Sequence, residues 1–423
     1  MRNFLLLLLL GAQLPFGAAQ EALSLSRCMA EAERYSPLAA QAPLIESAYR
    51  TATAQLRTSY LPQAMVGVQA SWQSDVTALP IQLPQVEVPR LSQDQYRATL
   101  ELNQTLWDGG ATAAQRAVQE AQSEAERQRL RADLYAQREF VLQFYFAALL
   151  AERQAELLET HVRDLQTRKA RAEALVAEGA AIPAQALIFD ARLLEIAQQQ
   201  DDNQARYEAA LSGLRLLTGL TIGPTTRLEP PEMPVSISAA VNERPELLWF
   251  AAQRAQTKAR ERFNQTRNLP RINAFGTLGY GRPGLNFLSN DFEPYAIVGL
   301  NMRWNIGAIY AGTTQRDREL LRIQGERVGV EEKRFRQSVE IARLREDAEL
   351  TRLQAAQEKD ARIIALREKV SAACAAQLDN GVITPSEYIS ESTRELEARI
   401  GAAIRQTQLM QAQWKLLWIL GKS

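Results

Sequence analysis

The sequence predicts an α+β membrane protein in which very long helices alternate with four membrane-crossing β-strands. Three observations predict it: a secretory leader, a set of landmarks that occurs twice, and hydrophobic patterns that switch from helical to alternating periodicity. The chain has 423 residues, with 49 basic and 49 acidic side chains and a formal net charge of zero. Because it lacks a basic surplus, nucleic acid is not an expected partner.

The first 19 residues have the features of a cleavable signal peptide. Arg2 supplies the positive region, an apolar run extends to Leu10, and Pro15 ends it. Small side chains then precede Gln20 at the positions of a cleavage site, and the run is too short to span a bilayer. We therefore expect residues 1–19 to be removed and the protein to be exported. Beyond them, no apolar run is long enough for a transmembrane helix.

Five landmarks recur roughly 200 residues apart and predict an internal tandem duplication. Prolines open and close the first helix of each half, a Gly-x-x-x-Pro turn follows, and an apolar run with a glycine closes each half. The pairs are Pro37 and Pro245, Pro62 and Pro270, Gly179 and Gly381, Pro183 and Pro385, and Gly219 and Gly421. We predict a first repeat over 20–220, a proline-rich connector over 221–241 and a second repeat over 242–423.

Each repeat contains two runs of alternating apolar and polar side chains, which is the pattern of a β-strand. The runs are 63–74, 95–107, 271–280 and 296–304. Each has about the length that a tilted strand needs to cross a bilayer, although four half-buried strands of a soluble sheet are the alternative. Four strands cannot close a barrel, and open sheet edges are not tolerated in lipid. Strands that span a membrane must therefore share one barrel among several copies.

The second strand of each repeat is followed by a tryptophan, a good helix-capping residue and glycine, which eases a sharp turn. These strand–helix junctions consist of Trp107, Asp108, Gly109 and Gly110 in the first repeat and of Trp304, Asn305 and Gly307 in the second. An unbroken helix is predicted over 111–178, on the order of 100 Å long. A second one is predicted from about 308, continuing through Gly312.

The first long helix shows a coiled-coil heptad pattern. One seam consists of Leu134, Val141, Ala148, Ala155 and Val162, and the other of Phe144, Ala151, Leu158 and Leu165. The helices are expected to turn at Gly179 and Gly381 and to return from Pro183 and Pro385, since proline is favoured at a helix start.

The duplicated halves, Leu-Pro helix ends, Trp-Asp-Gly-Gly junction and Gly-x-x-x-Pro turns together resemble the TolC family over nearly the whole mature chain. The resemblance implies a homotrimer with four strands per protomer in a single transmembrane β-barrel, continuous with a long α-helical coiled-coil barrel in the periplasm. It further implies an outer-membrane duct of a tripartite efflux or type I secretion system. The implied partners are a periplasmic adaptor, an inner-membrane transporter and outer-membrane lipid.

In the family, the helix turns close the tunnel, often with acidic rings six and nine residues after the turn glycine. Here the sixth positions hold Gln185 and Glu387, and the ninth hold Ile188 and Ser390. Glu387 is therefore either a cation-attracting ring or a first-turn acid favoured by the helix dipole. The resemblance assigns the aperture and adaptor contact to Gly179, Pro183, Gln185, Asp379, Asn380, Gly381, Pro385 and Glu387.

No catalytic, metal or cofactor motif is found, so the chain is predicted not to be an enzyme. His161 is the only histidine and lies on a charged helical stretch, where we expect it to be solvated. Cys28 and Cys374 are expected to be free small apolar residues on helices. The alternative function is a non-conducting periplasmic coiled-coil scaffold, which would stay soluble without detergent.

Overall fold

The computed structural model describes residues 22–77, 91–223, 226–232, 244–286 and 289–422. The predicted signal peptide and part of the predicted connector lie outside these residues. The chain forms two compact units, and each combines segments from both predicted repeats. The helical unit comprises the chain up to Ala39, Asp133–Arg244 and Ser338–Ser423, and the sheet unit comprises Ala40–Ala132 and Pro245–Gln337.

The elements follow the predicted order of helix, two strands and two long helices, occurring twice. In chain order they are α1 (Leu25–Tyr35), a 3₁₀ turn (Pro37–Ala40), α2 (Gln41–Thr58), β1 (Gln63–Trp72), β2 (Asp94–Trp107), α3 (Ala111–Ala136), α4 (Arg138–Ala177), α5 (Ala184–Thr218), α6 (Pro245–Thr266), β3 (Arg271–Arg282), β4 (Glu293–Arg303), α7 (Gly307–Tyr310), α8 (Thr313–Asp379) and α9 (Pro385–Leu420). No described helix combines the length and the apolar composition that a membrane crossing requires.

The four strands form one antiparallel sheet in the order β1-β2-β3-β4. The prediction of four strands is confirmed, with ends that differ by a few residues: β1 stops at Trp72, β3 continues to Arg282 and β4 begins at Glu293. The alternation gives the sheet one apolar face, whose side chains are strongly exposed. Val68 and Val298 are 82% and 86% exposed.

The prediction of an unbroken helix over 111–178 is wrong, because the helix is interrupted at Gln137, between α3 and α4. The N–H of Gln137 bonds to the carbonyl of Leu134, three residues back, as in a 3₁₀ turn. The side-chain amide of Gln137 also donates to Ser36 Oγ, 2.9 Å away. The interruption therefore coincides with a contact to a segment distant in sequence.

The second long helix also departs from the prediction, which carried it through Gly312. Gly312 has a φ of +67°, in the left-handed region, so α7 ends at Tyr310 and α8 starts at Thr313. A left-handed residue cannot continue a right-handed helix. The Gly312 carbonyl instead accepts the N–H of Arg316, in the first turn of α8.

The main core of the helical unit packs α1 against α4 and α5, around Cys28, Leu142, Phe146, Leu211 and Leu214. The Cys28 thiol is free, as predicted, and burial raises its pKa to about 12. This value makes the thiol a poor nucleophile at neutral pH. Cys374 is also free.

The heptad prediction is only partly confirmed. Seven-residue spacing does select buried side chains at Ala151, Leu158, Leu165 and Ala172 along α4. The other predicted seam is buried only at Val141 and Ala148; Leu134 and Val162 are half-buried, and Ala155 is exposed.

Candidate functional site: the helix turns and the strand–helix junctions

The two predicted helix turns have the same backbone geometry. Gly179 and Gly381 have φ values of +73° and +70°. In each turn, the glycine N–H bonds to the carbonyl three residues back, and the next N–H bonds to the carbonyl five back from itself. This is the Schellman arrangement, which satisfies carbonyls at the end of a helix and favours glycine. We call the two turns together the turn end; both belong to the helical unit.

The returning helices start differently. At α9, the Thr384 hydroxyl accepts the Glu387 N–H, and the Glu387 carboxylate accepts the Thr384 N–H at 2.8 Å, forming a capping box. These bonds hold the pKa of Glu387 below its usual value. Pro385 is buried at the first position of α9. At α5, Pro183 is the cap and supplies no side-chain bond. Glu387 is therefore a helix-capping residue in this structure.

Charges fix the second turn onto α4. Asp379 lies 2.8 Å from the Arg171 guanidinium and 3.7 Å from that of Arg168. Arg171 also donates to the Asp379 main-chain carbonyl at 3.3 Å. The Asn380 side chain only bonds back to Ala376 in its own helix. Among the predicted residues of the turn end, Asp379 therefore forms the ion pairs that link α8 to α4.

Tyr388, next to Glu387, anchors α9 against α4. Its ring is 1% exposed, and its hydroxyl donates to the Asp164 carboxylate in a short hydrogen bond. The Arg168 guanidinium stacks over the same ring at 4.3 Å and lies 3.2 Å from Asp164. We call Tyr388, Asp164 and Arg168 the clasp. Burial and the Asp164 carboxylate raise the pKa of Tyr388, so its hydroxyl keeps its proton at neutral pH.

A cleft of about 490 Å³ lies beside the clasp, between α4, α8 and α9. His161 lines it and is half-buried, so our expectation that it is solvated is wrong. Its Nδ1 is 3.5 Å from Ser392 Oγ, and its Nε2 is buried with no hydrogen-bond partner among the described residues. Burial is the main reason that its pKa is lowered; Arg192 lowers it further, whereas Asp164 and Glu395 oppose the change.

This environment predicts acid sensitivity of the helical unit. The pKa of His161 is lower in the folded protein than in the unfolded chain, where it is about 6.5. As the pH falls below 6.5, the unfolded chain therefore binds more protons than the folded protein does. The free energy of unfolding decreases until the pH has passed the folded-state pKa. The loss is at most about 1.4 kcal/mol per pH unit. We expect the melting temperature to fall more between pH 7.5 and 5.5 in the wild type than in His161→Gln. Equal falls in thermal denaturation would contradict the prediction.

At the strand–helix junction of the first repeat, β2 ends at Trp107 and α3 begins at Ala111. Asp108 is buried, and its two carboxylate oxygens accept the N–H groups of Gly110 at 2.9 Å and Thr112 at 2.7 Å, which caps α3. Gly109 and Gly110 have φ values of +70° and +78°. A Cβ on Gly109 would lie 2.7 Å from Leu269 Cβ, whereas one on Gly110 would meet nothing within 4 Å.

The junction of the second repeat is less regular. Gly307 begins the four-residue helix α7. The Trp304 indole donates to the Asn268 carbonyl at 3.0 Å, and its ring is 49% exposed. Trp107 is also exposed. The two tryptophans therefore border the apolar face of the sheet where the strands meet the helices.

The opposite end of the apolar face carries an aromatic cluster. The Phe292 ring packs against Tyr96 and Tyr280, with centroids 6.2 and 5.8 Å apart. Arg282 lies over the Tyr96 and Phe292 rings and pairs with the Asp94 carboxylate. Aromatic side chains at both ends of an exposed apolar band are typical of a surface that crosses a membrane.

Sequence analysis identified the turns and junctions but not the clasp or the cleft. Tyr388 directly follows Glu387 in the sequence. The other two clasp residues, Asp164 and Arg168, lie one turn apart on α4. Among the described residues, no group of three His, Cys, Asp or Glu side chains is placed to hold a metal ion.

Comparison with solved structures defines the class of fold. CusC, whose structures concern folding and transmembrane channel formation, is 16% identical, with a TM-score of 0.68 over 94% of this chain and 92% of its own. The Campylobacter jejuni CmeC outer membrane channel is 14% identical, with a TM-score of 0.66 over 94% and 85%. The Vibrio cholerae outer membrane protein VceC is 14% identical, with a TM-score of 0.66 over 94% and 96%.

No protein-family model and no curated protein matches the chain. The fold is that of outer-membrane channels. More narrowly, it is the fold of the TolC-family efflux channels, as the sequence motifs predicted. The resemblance is to channel proteins and not to enzymes.

Proposed function

We propose that this protein is a passive outer-membrane duct of an efflux system. The observation that carries the proposal is the four-stranded sheet with a strongly exposed apolar face, in a chain that has the fold of outer-membrane channels. In water, so large an exposed apolar surface would be unfavourable, whereas in a bilayer it contacts hydrocarbon.

The sheet also supports a shared barrel. Within the described residues, β1 and β4 each pair on one side only, so both have an open edge. Unpaired strand edges are not tolerated in hydrocarbon, and closing them requires strands from other copies. We propose a homotrimer, in which twelve strands close one barrel that continues into a helical tunnel reaching into the periplasm.

The turn end is the proposed site of adaptor contact and gating. Both turns carry exposed apolar side chains: Ile182, Leu187 and Val382 are 63%, 63% and 71% exposed. A partner that covers these side chains would remove apolar surface from water, which favours binding. We propose that a periplasmic adaptor binds them and connects the duct to an inner-membrane transporter, and that the clasp holds the tunnel closed at this end. A tripartite efflux system or type I secretion fits this role.

Electron microscopy of the detergent-extracted protein tests the proposal. We expect a three-fold hollow particle that requires detergent for solubility. A monomeric or solid rod in the soluble fraction would reject the duct and favour the coiled-coil scaffold instead.

For Glu387 we propose the capping role, and a single variant tests the alternative of a cation-attracting ring. Glu387→Gln removes the charge but keeps a residue type that can complete a capping box. We expect no change in ion selectivity when the conductance of the purified protein is measured in planar bilayers. A lower cation selectivity in the variant than in the wild type would support the cation-attracting ring instead.

A further inference from the structure

The second face of the sheet carries charged and polar side chains together with a few apolar ones, such as Met65 and Ile297. The register aligns them in rows across the strands; one row, near the middle, runs Met65, Glu101, Thr277, Ile297. In the last row before the helices, Arg271 of β3 lies directly opposite Arg303 of β4. Both side chains are exposed.

Two arginines in directly opposed positions disfavour the fold. Side chains opposite each other on neighbouring antiparallel strands lie about 5 Å apart at Cβ, and like charges there are destabilising. Arginine stays charged at any physiological pH, so the repulsion cannot be relieved by losing a proton. An arrangement that costs stability at an exposed position indicates a role other than holding the sheet together.

Within the described residues, no carboxylate pairs with either guanidinium. The Asp108 side chain, which follows the strand beside Arg271, is buried, and both of its oxygens are taken by backbone N–H groups. Glu101 pairs in register with Thr277, six residues along β3 from Arg271. This separation is about 20 Å at the rise of a strand. The paired arginines therefore present an uncompensated positive charge.

The remaining charges of this face are mixed and lie farther along the strands. Arg97 and Glu293 occupy one row, both opposite Gly281 of β3. Together with Glu101, they leave that part of the face with one more negative than positive charge. The positive charge is thus concentrated in the single row that borders the helices.

We propose that Arg271 and Arg303 form an anion-selective ring where the strands meet the helices, and that the cargo of the duct is anionic. The inference rests on the proposed function, because the polar face becomes the lumen only if the apolar face contacts lipid. Three copies would bring six guanidinium groups to one level of the pore. Rings of Arg or Lys are the usual device of anion-conducting pores.

The test is the reversal potential of the purified protein in a planar bilayer under a potassium chloride gradient. We expect the wild type to favour chloride over potassium. Arg271→Gln/Arg303→Gln should lower the chloride-to-potassium permeability ratio on the order of twofold to tenfold, since unit charges close to a pore axis are only partly screened. Arg271→Lys/Arg303→Lys keeps the charge and should keep the ratio. The wild type and both double variants keep Glu387, so a difference in selectivity among them does not come from that residue.

The outcomes separate this inference from the proposed function. If the wild type does not conduct, both the duct and its anion selectivity are rejected. If it conducts but does not favour chloride, or if the glutamine variant keeps the wild-type ratio, the duct stands and the arginine ring is overturned. If the glutamine variant fails to insert into the bilayer, the chloride-to-potassium permeability ratio of the wild type still tests the inference. A lysine variant that loses selectivity would also overturn a role based on charge.

Discussion

Replacing Tyr388 with alanine is expected to destabilise the helical unit by about 3–5 kcal/mol, the usual cost of removing a large buried aromatic side chain. The substitution would leave a cavity between α4 and α9 and remove the hydrogen bond to Asp164 and the surface on which Arg168 stacks. Thermal denaturation in detergent measures the loss. If the clasp holds the tunnel closed, the same variant should conduct more current in planar bilayers.

Two matched variants show how much of this loss of stability comes from the hydroxyl of Tyr388 and how much from the burial of its ring. Tyr388→Phe keeps the ring but loses the hydroxyl, and we expect it to cost about 1.5–3 kcal/mol, the range for a hydrogen bond to a charged group. Tyr310→Ala removes the same side chain where it is 83% exposed, so it should change stability by less than about 0.5 kcal/mol. Equal effects of the two alanine variants would show that Tyr388 is not an anchor.

Substituting alanine at Gly109 is expected to have the second-largest effect, a loss of about 2–5 kcal/mol in the sheet unit. Its positive φ would strain any L side chain by about 1–2 kcal/mol. The added Cβ would also lie 2.7 Å from Leu269 Cβ, an overlap that forces a shift costing about 1–3 kcal/mol. Thermal denaturation in detergent, and recovery of the folded protein from membranes, measure the effect.

Gly110 provides the control one residue away. Its φ of +78° imposes the same strain, but a Cβ there meets nothing within 4 Å. Gly110→Ala should therefore cost only the strain of about 1–2 kcal/mol. A loss as large as that of Gly109→Ala would mean that backbone strain, and not the approach of Leu269, dominates at this junction.

Much of the fold could be predicted because its signals are local. Alternation of side chains located the four strands, glycine located the turns at Gly179 and Gly381, and Asp108 located the start of α3. Each of these features depends on residues within a few positions of one another. Whether the two halves arose by duplication stays a prediction, although the paired turn glycines have nearly the same φ.

The predictions that failed depend on neighbours distant in sequence. The interruption at Gln137 coincides with its bond to Ser36, and the half-buried His161 contacts Ser392 of α9. The predicted seam from Leu134 to Val162 is incompletely buried for the same reason: heptad spacing locates a stripe of residues, but the helix that packs against it decides which of them become buried.

By itself, the sequence determined the order of the elements, the two faces of each strand and the positions of the turns, because backbone geometry and hydrophobic periodicity are properties of short segments. Only the tertiary structure decided that Tyr388 bonds to Asp164 and that Arg271 lies opposite Arg303. Strand register and helix packing are set by contacts between residues far apart in the chain, and periodicity within one segment does not encode them.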